Sequence, residues 1–168
     1  GLLGGSFNPP HLGHIHISNL AIKYLNLDEV WWIPTAKNPL KDPNIYENYE
    51  NRVEKCRIIT KNYDKIKIQV DDEIYSEKLV RKLRDNFKNE DFYWIMGADN
   101  FERLHEWENF IEMIKMVPFG VFARENYLEK IENSEAFKII KKQNLINRLL
   151  IFASEKLDIS STQIRNNA

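Results

Sequence analysis

Residue types that bind phosphate are concentrated in one segment near the start of the chain, Gly4-Gly5-Ser6-Phe7-Asn8-Pro9-Pro10-His11-Leu12-Gly13-His14. Glycines that follow a strand let the backbone approach a ligand, because no Cβ intervenes. A helix that begins near His14 would add N–H groups and the positive end of its dipole. His11 and His14 are three residues apart, so if the first helical turn includes both, their imidazoles share a face and could stabilise charge that builds on a phosphate. The segment therefore predicts a phosphate cradle with two histidine donors.

Simpler explanations of this segment stay open at this point. A Gly-Gly turn after a strand is common, and a histidine at a helix end is commonly an exposed polar residue. A metal site would need a further ligand beside the two histidines. Two common glycine-rich phosphate signatures, G-x-x-x-x-G-K-S/T and G-x-G-x-x-G, are absent from the sequence. His16 is two residues from His14, and we expect it to point elsewhere as a structural or exposed residue.

A second run of phosphate-binding residue types lies near the other end of the sequence, Ser160-Ser161-Thr162-Gln163-Ile164-Arg165. Ser160 and Gln163 satisfy a capping box, so a helix is predicted to start here. An ordinary capped helix explains Ser160 but not Arg165, which would lie near the positive end of the helix dipole, where a cation is disfavoured unless an anion is bound. Three hydroxyls, helix-start amides and an arginine therefore predict a second phosphate site.

Together the two segments resemble the signature of the HIGH-motif nucleotidyltransferase superfamily. The first matches G-S/T-F-D/N-P followed by H-x-G-H, with Asn8 where aspartate is commoner, and the second resembles I-S-S/T-T-x-I/V-R. In that superfamily the two histidines contact ATP phosphates, the C-terminal element binds the β- and γ-phosphates, and no covalent enzyme intermediate forms. The resemblance implies catalytic roles for His14 and, in support, His11. It also implies an ATP site made by Gly4, Gly5, Ser6, Phe7, Gly13, Ser160, Ser161, Thr162 and Arg165.

The loop after the second predicted strand indicates the acceptor. Pro34-Thr35-Ala36-Lys37-Asn38-Pro39-Leu40-Lys41 resembles the P-x-x-x-x-P-H-K/R loop of bacterial nicotinate-mononucleotide adenylyltransferases. Leu40 replaces the usual histidine, whereas Lys41 keeps the basic position and is implied to pair with the acceptor phosphate. A solvated basic loop is the alternative explanation for Lys41.

Two further matches concern the pyridine ring of that acceptor. Glu73-Ile74-Tyr75-Ser76 resembles the family's S-Y-T segment, which contacts the ring and its carboxylate, although Ser76 fits equally well as a helix N-cap. Trp107 matches the family's tryptophan that stacks on the nicotinate ring, for which a flat π-surface is suited. The alternative is a core tryptophan, which is what we expect of Trp31, Trp32 and Trp94.

A third match concerns the adenosine. Trp94-Ile95-Met96-Gly97-Ala98-Asp99-Asn100 resembles the family's strand that ends in G-x-D. Gly97 would let adenosine approach and Asp99 would accept from ribose hydroxyls, although Asp99 could instead be a helix N-cap. Arg124 follows the fifth predicted strand where the family also has an arginine, which implies a phosphate contact in the substrate site.

The composition narrows the classes of partner. With a formal net charge of −1 and 43% hydrophobic residues, the chain carries no electrostatic footprint for nucleic acid or an anionic membrane, and we expect neither as a partner. No apolar run approaches the roughly 20 residues that span a bilayer. The single cysteine, Cys56, excludes an internal disulfide, and we expect it to be a half-buried helix residue and not a nucleophile. A reducing cytoplasm is the expected location.

Short apolar runs alternate with amphipathic stretches, which predicts a fold of the α/β class: a single Rossmann-like, doubly wound domain over residues 1–168 with a mostly parallel sheet. Strands are predicted at residues 2–4, 30–34, 66–70, 92–96, 119–123 and 149–153, and helices at 14–25, 49–63, 76–87 and 127–143. Two of these helices have a clear apolar stripe, which comprises Ile17, Leu20, Ala21, Tyr24 and Leu25 in the first and Leu79, Val80, Leu83 and Phe87 in the third. Ligands of such folds bind at the carboxyl ends of the strands, and each segment above directly follows a strand.

The predicted reaction is adenylyl transfer from ATP to nicotinate mononucleotide, which forms nicotinate adenine dinucleotide and pyrophosphate. Mg²⁺ is expected to arrive on the ATP phosphates, because it needs few protein ligands and no carboxylate cluster is evident, so we predict no metal site of the protein itself. Phosphopantetheine adenylyltransferase and a catalytically inactive nucleotide-binding sensor domain are the alternatives.

Overall fold

The computed structural model describes residues 1–36, 47–124 and 127–154, apart from the side chains of Arg124 and Ser154. These residues divide into two compact units, one within Gly1–Ile74 and one within Tyr75–Lys156. The single domain over residues 1–168 stays a prediction. Among the described helices, none has both the length and the apolar character that crossing a bilayer requires.

The first unit has three parallel strands in the order β3-β2-β1, with two helices in the connections between them. Its elements are β1 (Leu2–Gly5), α1 (Leu12–Tyr24), β2 (Val30–Pro34), α2 (Tyr49–Thr60) and β3 (Ile66–Ile68). The register pairs Leu2 with Trp31 and Val30 with Ile66. Leu2 and Trp32 are fully buried, which is the pattern of strands covered on both faces.

The second unit has three parallel strands in the order β4-β5-β6, and Phe119 of the middle strand pairs with Trp94 and Leu149. Its strands are β4 (Trp94–Gly97), β5 (Phe119–Arg124) and β6 (Leu149–Ser154). Its helices are α3 (Ser76–Asn86), α4 (Ala98–Glu102), α5 (Phe110–Met116), α6 (Leu128–Asn133) and α7 (Glu135–Lys142), with 3₁₀ turns at Leu104–Glu106 and Ile146–Arg148. Every predicted strand is found within two residues at each end.

Helix α1 differs from its prediction in both start and buried face. It begins at Leu12, not His14, because His11 caps it. Its buried residues are Ile15, Ser18 and Ala21, whereas the predicted stripe included Tyr24, which is half exposed. The predicted stripe was right at Ala21 and wrong elsewhere, because a hydrogen-bonded serine occupies the inward face and the apolar residues alone did not mark that face.

The predicted helix 127–143 is two helices. Ser134 lies between α6 and α7 with an extended backbone, and its hydroxyl accepts from the Phe137 N–H at 3.2 Å and donates to the Ile131 carbonyl at 2.7 Å. The serine thus ends one helix and caps the next. Helix α3 matches its prediction except that Phe87 is exposed, and α4 and α5 were not predicted.

Candidate functional site in the phosphate segment

Helix α1 begins with two histidines that cap it reciprocally. His11 is the N-cap, and its Nδ1 accepts from the Gly13 N–H at 3.1 Å. The backbone N–H of His11 donates in turn to Nδ1 of His14 at 3.2 Å. The geometry is that of a capping box in which imidazoles replace the usual hydroxyl and carboxylate.

The capping bonds determine which ring nitrogen carries the proton. An Nδ1 that accepts an N–H has no proton of its own, so in both rings the proton is on Nε2. The rings are adjacent, with their centroids 3.9 Å apart. Helix α1 therefore begins with two adjacent imidazoles, each of which carries its proton on Nε2.

The ring of His14 is packed against aromatic side chains, and its burial keeps it neutral. The ring of Phe7 is 4.7 Å from the His14 ring, and the ring of Trp32 meets it edge-on at 5.7 Å. Burial, and secondarily the neighbouring His11, lowers the pKa of His14 from 6.5 to about 3. At neutral pH the residue is an uncharged hydrogen-bond donor and not an imidazolium.

A hydrogen-bonded chain fastens this part of α1 to strand β2. The indole Nε1–H of Trp32 donates to the hydroxyl of Ser18 at 2.8 Å, and that hydroxyl donates to the His14 carbonyl at 2.8 Å. Ser18 and Trp32 are both fully buried, so these bonds are shielded from water. These two hydrogen bonds fix the position of the His14 backbone relative to strand β2.

The turn between β1 and α1 is held in an uncommon conformation. Phe7 has a φ of 46°, in the left-handed region that residues with a Cβ rarely adopt. Its buried ring stacks on Trp32 with centroids 4.9 Å apart. The peptide between Asn8 and Pro9 is cis. A Cβ on Gly5 would meet the Phe7 ring at an ordinary 3.5 Å, so packing within the protein does not demand glycine there.

Arg52 of α2 was not identified from the sequence, although it joins three parts of this unit. Its guanidinium donates to the carbonyls of Ser6, Thr35, Ala36 and Glu47. The sequence carried one signal, because Arg52 is four residues from Cys56 and so lies on the stripe that buries Val53 and Cys56. An arginine on a buried stripe must find acceptors.

In the second unit, strand β4 leads directly into helix α4. Gly97 is buried and is the N-cap of that helix, whereas Asp99 is exposed in its first turn and makes no capping bond. The alternative of Asp99 as an N-cap is therefore wrong. Its carboxylate is exposed, as a contact with a ligand would require.

The pair Tyr75 and Ser76 lies at the start of α3. Tyr75 is the N-cap and Ser76 the first helical residue, and no side chain caps this helix. The alternative of Ser76 as an N-cap is therefore wrong. Lys78 lies over the Tyr75 ring, with its Nζ 4.8 Å from the centroid.

Trp107 directly follows the 3₁₀ turn Leu104–Glu106. It is half-buried and meets the buried Trp94 edge-to-face, with centroids 6.0 Å apart at 90°. Neighbouring Arg103 and Glu106 form an ion pair at 2.6 Å. Trp107 is thus anchored on the core without being part of it. Trp32 and Trp94 are core residues as predicted, whereas Trp31 is half-buried because its indole donates outward to Glu29.

Comparison with known proteins agrees with these observations. A family model described as cytidylyltransferase-like matches residues 2–167. A protein of Ruegeria sp. (strain TM1040) named "Probable nicotinate-nucleotide adenylyltransferase" is 36% identical over 151 residues, covering 86% of this chain and 78% of the relative. A protein of the same name from Agrobacterium fabrum is 30% identical over 185 residues, covering 99% of this chain and 97% of the relative. The chain belongs to the nicotinate-nucleotide adenylyltransferase family.

The fold agrees with that membership. The solved structure of Plasmodium falciparum nicotinic acid mononucleotide adenylyltransferase complexed with NaAD superposes with a TM-score of 0.72 at 20% identity, covering 98% of this chain and 81% of that chain. This likeness confirms the predicted α/β, doubly wound class of fold.

In this family member the structure brings together the predicted residues of the first segment, namely Gly4, Gly5, Ser6, Phe7, His11, Gly13 and His14. Other predicted site residues lie outside the described residues: Lys41, Ser160, Ser161, Thr162 and Arg165. The backbone of Arg124 ends β5, but its side chain is likewise outside the description.

Two residues that could have competed for a catalytic role are excluded from it. Cys56 is buried, and burial raises the pKa of its thiol to about 12, so it is not a nucleophile. His16 is half-buried, and its Nε2 is enclosed without a hydrogen-bond partner among the residues that the structure describes, so the hydrogen bonds of the two capping histidines do not extend to it. Within the described ranges no group of three or more histidine, cysteine, aspartate or glutamate side chains could hold a metal ion.

Proposed function

We propose that this family member transfers the adenylyl group of ATP to nicotinate mononucleotide. A phosphate oxygen of the mononucleotide attacks the α-phosphorus of ATP and forms the new P–O bond. The bond from the α-phosphorus to the oxygen that bridges to the β-phosphate breaks, and pyrophosphate leaves. The observation that carries this proposal is the pair of adjacent imidazoles at the start of α1, whose Nδ1 atoms accept capping bonds and whose protons are therefore on Nε2.

His14 and His11 act as donors to the phosphates, not as acids or bases. Charge spreads over the α-phosphate oxygens as the transfer proceeds, and preorganised N–H donors stabilise it without reorganising. A neutral imidazole suits this role because it donates without having to lose its proton. Gly4, Gly5, Ser6, Phe7 and Gly13 provide the backbone around the phosphates.

The leaving pyrophosphate is assigned to Ser160, Ser161, Thr162 and Arg165. Mg²⁺ is the proposed cation, bound mainly through the ATP phosphates, and it would supply charge neutralisation there.

The acceptor and the adenosine are assigned to residues that follow later strands. Lys41 and Arg124 pair with the phosphate of nicotinate mononucleotide, Tyr75 and Ser76 contact the pyridine carboxylate, and Trp107 stacks on the ring. Gly97 and Asp99 receive the adenosine, the exposed carboxylate of Asp99 accepting from ribose hydroxyls. The Plasmodium falciparum enzyme was solved in complex with NaAD, the product that this reaction would form. The proposed location is the cytoplasm.

Pyrophosphate release tests the proposal. The protein is incubated with ATP, Mg²⁺ and one acceptor at a time: nicotinate mononucleotide, its nicotinamide counterpart or phosphopantetheine. We expect release with nicotinate mononucleotide. Release only with phosphopantetheine would assign a different acceptor, and no release with any acceptor would indicate a binding domain without activity.

A further inference from the structure

Arg52 is a charged side chain in the core of the first unit. It lies in helix α2 and is 2% exposed. A buried guanidinium costs free energy unless its N–H groups find acceptors. Here they find backbone carbonyls, and the Arg52 guanidinium also lies 5.4 Å from the ring of Tyr49, one turn earlier in the helix.

The carbonyls belong to three separate stretches of backbone. Nη1 donates to Ser6 and, at 3.0 Å, to Thr35, and Nη2 donates to Ala36 at 3.2 Å. Nε donates to Glu47 at 3.0 Å. One planar group thus joins the phosphate segment to the residues just after β2 and to those just before α2.

The contact with Ser6 bears on the strained turn. Because the Ser6 carbonyl belongs to the peptide that precedes Phe7, a donor on that oxygen restrains the orientation of this peptide. Phe7 has the left-handed φ of 46°, a conformation that persists only where the surroundings hold it. Arg52 restrains the backbone on one side of this residue, and the Phe7 ring is held by Trp32 on the other.

The contact with Glu47 is reinforced from the phosphate segment itself. The Glu47 N–H donates to the side-chain oxygen of Asn8 at 3.2 Å, while the Glu47 carbonyl accepts from Arg52. The Glu47 carboxylate also pairs with Lys55 of α2 at 2.6 Å. Asn8 and Arg52 therefore hold the same residue, one at its N–H and the other at its carbonyl.

We propose that Arg52 is a positioning residue for the adenylyl transfer, acting through Ser6 and Phe7 on His14. The ring of Phe7 lies 4.7 Å from that of His14, so a shift of the turn moves the packing surface of the proposed phosphate donor. Arg52 itself touches no reacting atom in this assignment. The inference rests on the proposed function.

The geometry of the guanidinium group, a planar fork of N–H donors, explains why arginine is needed. Its N–H groups point in several fixed directions in one plane, which lets a single side chain serve carbonyls on three segments. Lysine would keep the charge but concentrate its donors on one atom, and methionine would keep much of the volume but no donor. Arg52→Lys and Arg52→Met therefore remove the fork in two different ways.

The experiment compares these variants with Val53→Ala, a core truncation at the next position of the same helix, where Val53 is 5% exposed. Melting temperature, kcat with nicotinate mononucleotide, and affinity for a non-hydrolysable ATP analogue are measured for each protein, all at the same interval below its own melting temperature. We expect kcat to fall about 10- to 100-fold in Arg52→Met, as misplacement of reacting groups does, and analogue affinity to weaken. Arg52→Lys should lie between Arg52→Met and wild type, and Val53→Ala should match wild type.

Equal kcat and equal analogue affinity in Arg52→Met and Val53→Ala would overturn the inference, since Arg52 would then contribute stability alone. If Arg52→Met does not fold, the same comparison with Arg52→Lys decides. A wild-type protein without turnover on nicotinate mononucleotide would refute the proposed function instead, and the analogue affinities would still test the role of Arg52.

Discussion

The backbone N–H of His11 donates to the ring Nδ1 of His14 at 3.2 Å, so that one histidine of the phosphate segment determines which ring nitrogen of the other carries the proton. A capping bond is usually a matter of helix stability, worth about 1 kcal/mol. Here it also places the His14 proton on Nε2, and the bond from Gly13 does the same for His11. Helix capping and the proposed phosphate donation therefore use opposite nitrogens of the same rings.

Substitution of His14 can separate these two uses. Glutamine is a usual residue at this position of a capping box, so His14→Gln should keep the cap, whereas His14→Ala should lose it and about 0.5–2 kcal/mol of stability. Both variants lose the placed imidazole donor, and we expect kcat to fall about 100-fold or more in both. Urea unfolding and pyrophosphate release measure the two effects. Wild-type kcat in His14→Ala would show that His14 is not a phosphate donor.

The lowered pKa of His14 predicts how stability depends on pH. Between about 3 and 6.5 the unfolded chain binds a proton at this residue and the folded chain does not. Protonation then favours the unfolded state, so the free energy of unfolding should fall with decreasing pH by up to about 1.4 kcal/mol per pH unit across this window. Above 6.5 the residue should contribute no pH dependence. Urea unfolding of wild type and His14→Gln from pH 4 to 8 measures the difference, and identical slopes would contradict the assignment.

The hydrogen bonds from Trp32 to Ser18 and from Ser18 to His14 lead to a prediction about the free energy of unfolding. Ser18→Ala leaves the buried indole N–H of Trp32 without its acceptor, which should cost about 1–3 kcal/mol of unfolding free energy. Thr60→Ala is the control, since the buried hydroxyl of Thr60, the last residue of α2, also donates to a carbonyl one turn back, that of Cys56 at 2.8 Å, but accepts no indole N–H from the described residues. Chemical denaturation should show the larger loss for Ser18→Ala. Combined with Trp32→Phe, which removes the indole donor, the Ser18 substitution should cost less than it does alone.

The local pattern of the sequence was sufficient for the strands and for the histidine pair. Strands buried on both faces read as short continuous apolar runs, and all six were found. The spacing of His11 and His14 also indicated that their imidazoles could lie side by side, and their ring centroids are 3.9 Å apart. The helices α4 and α5, of 5 and 7 residues, are too short to show a helical period, which explains why they were not predicted.

The features that the sequence did not predict are contacts of Arg52, His11 and Ser18. Their partners are distant along the chain, or their residue types are unusual for the role. The acceptors of Arg52 lie as far as 46 residues away in the sequence, so the residues near position 52 do not indicate which carbonyls it binds. Histidine is an uncommon N-cap, so the first turn of α1 was placed two residues late. Ser18 satisfies its hydroxyl inside the core, where a polar residue was not expected.

Trp107 provides a test of the acceptor assignment in the second unit. Stacking of an aromatic side chain on a flat ring is worth about 1–3 kcal/mol, so Trp107→Ala should raise the KM for nicotinate mononucleotide by about 10-fold or more while leaving the KM for ATP near wild type. Trp107→Phe keeps a smaller flat ring and should lie between the two. Trp31, another half-buried tryptophan, is the control, and Trp31→Ala should change neither constant. Steady-state kinetics with each substrate varied in turn measure both constants. An unchanged KM for the mononucleotide in Trp107→Ala would show that Trp107 does not contact the acceptor. Its role would then be limited to its edge-to-face packing on Trp94.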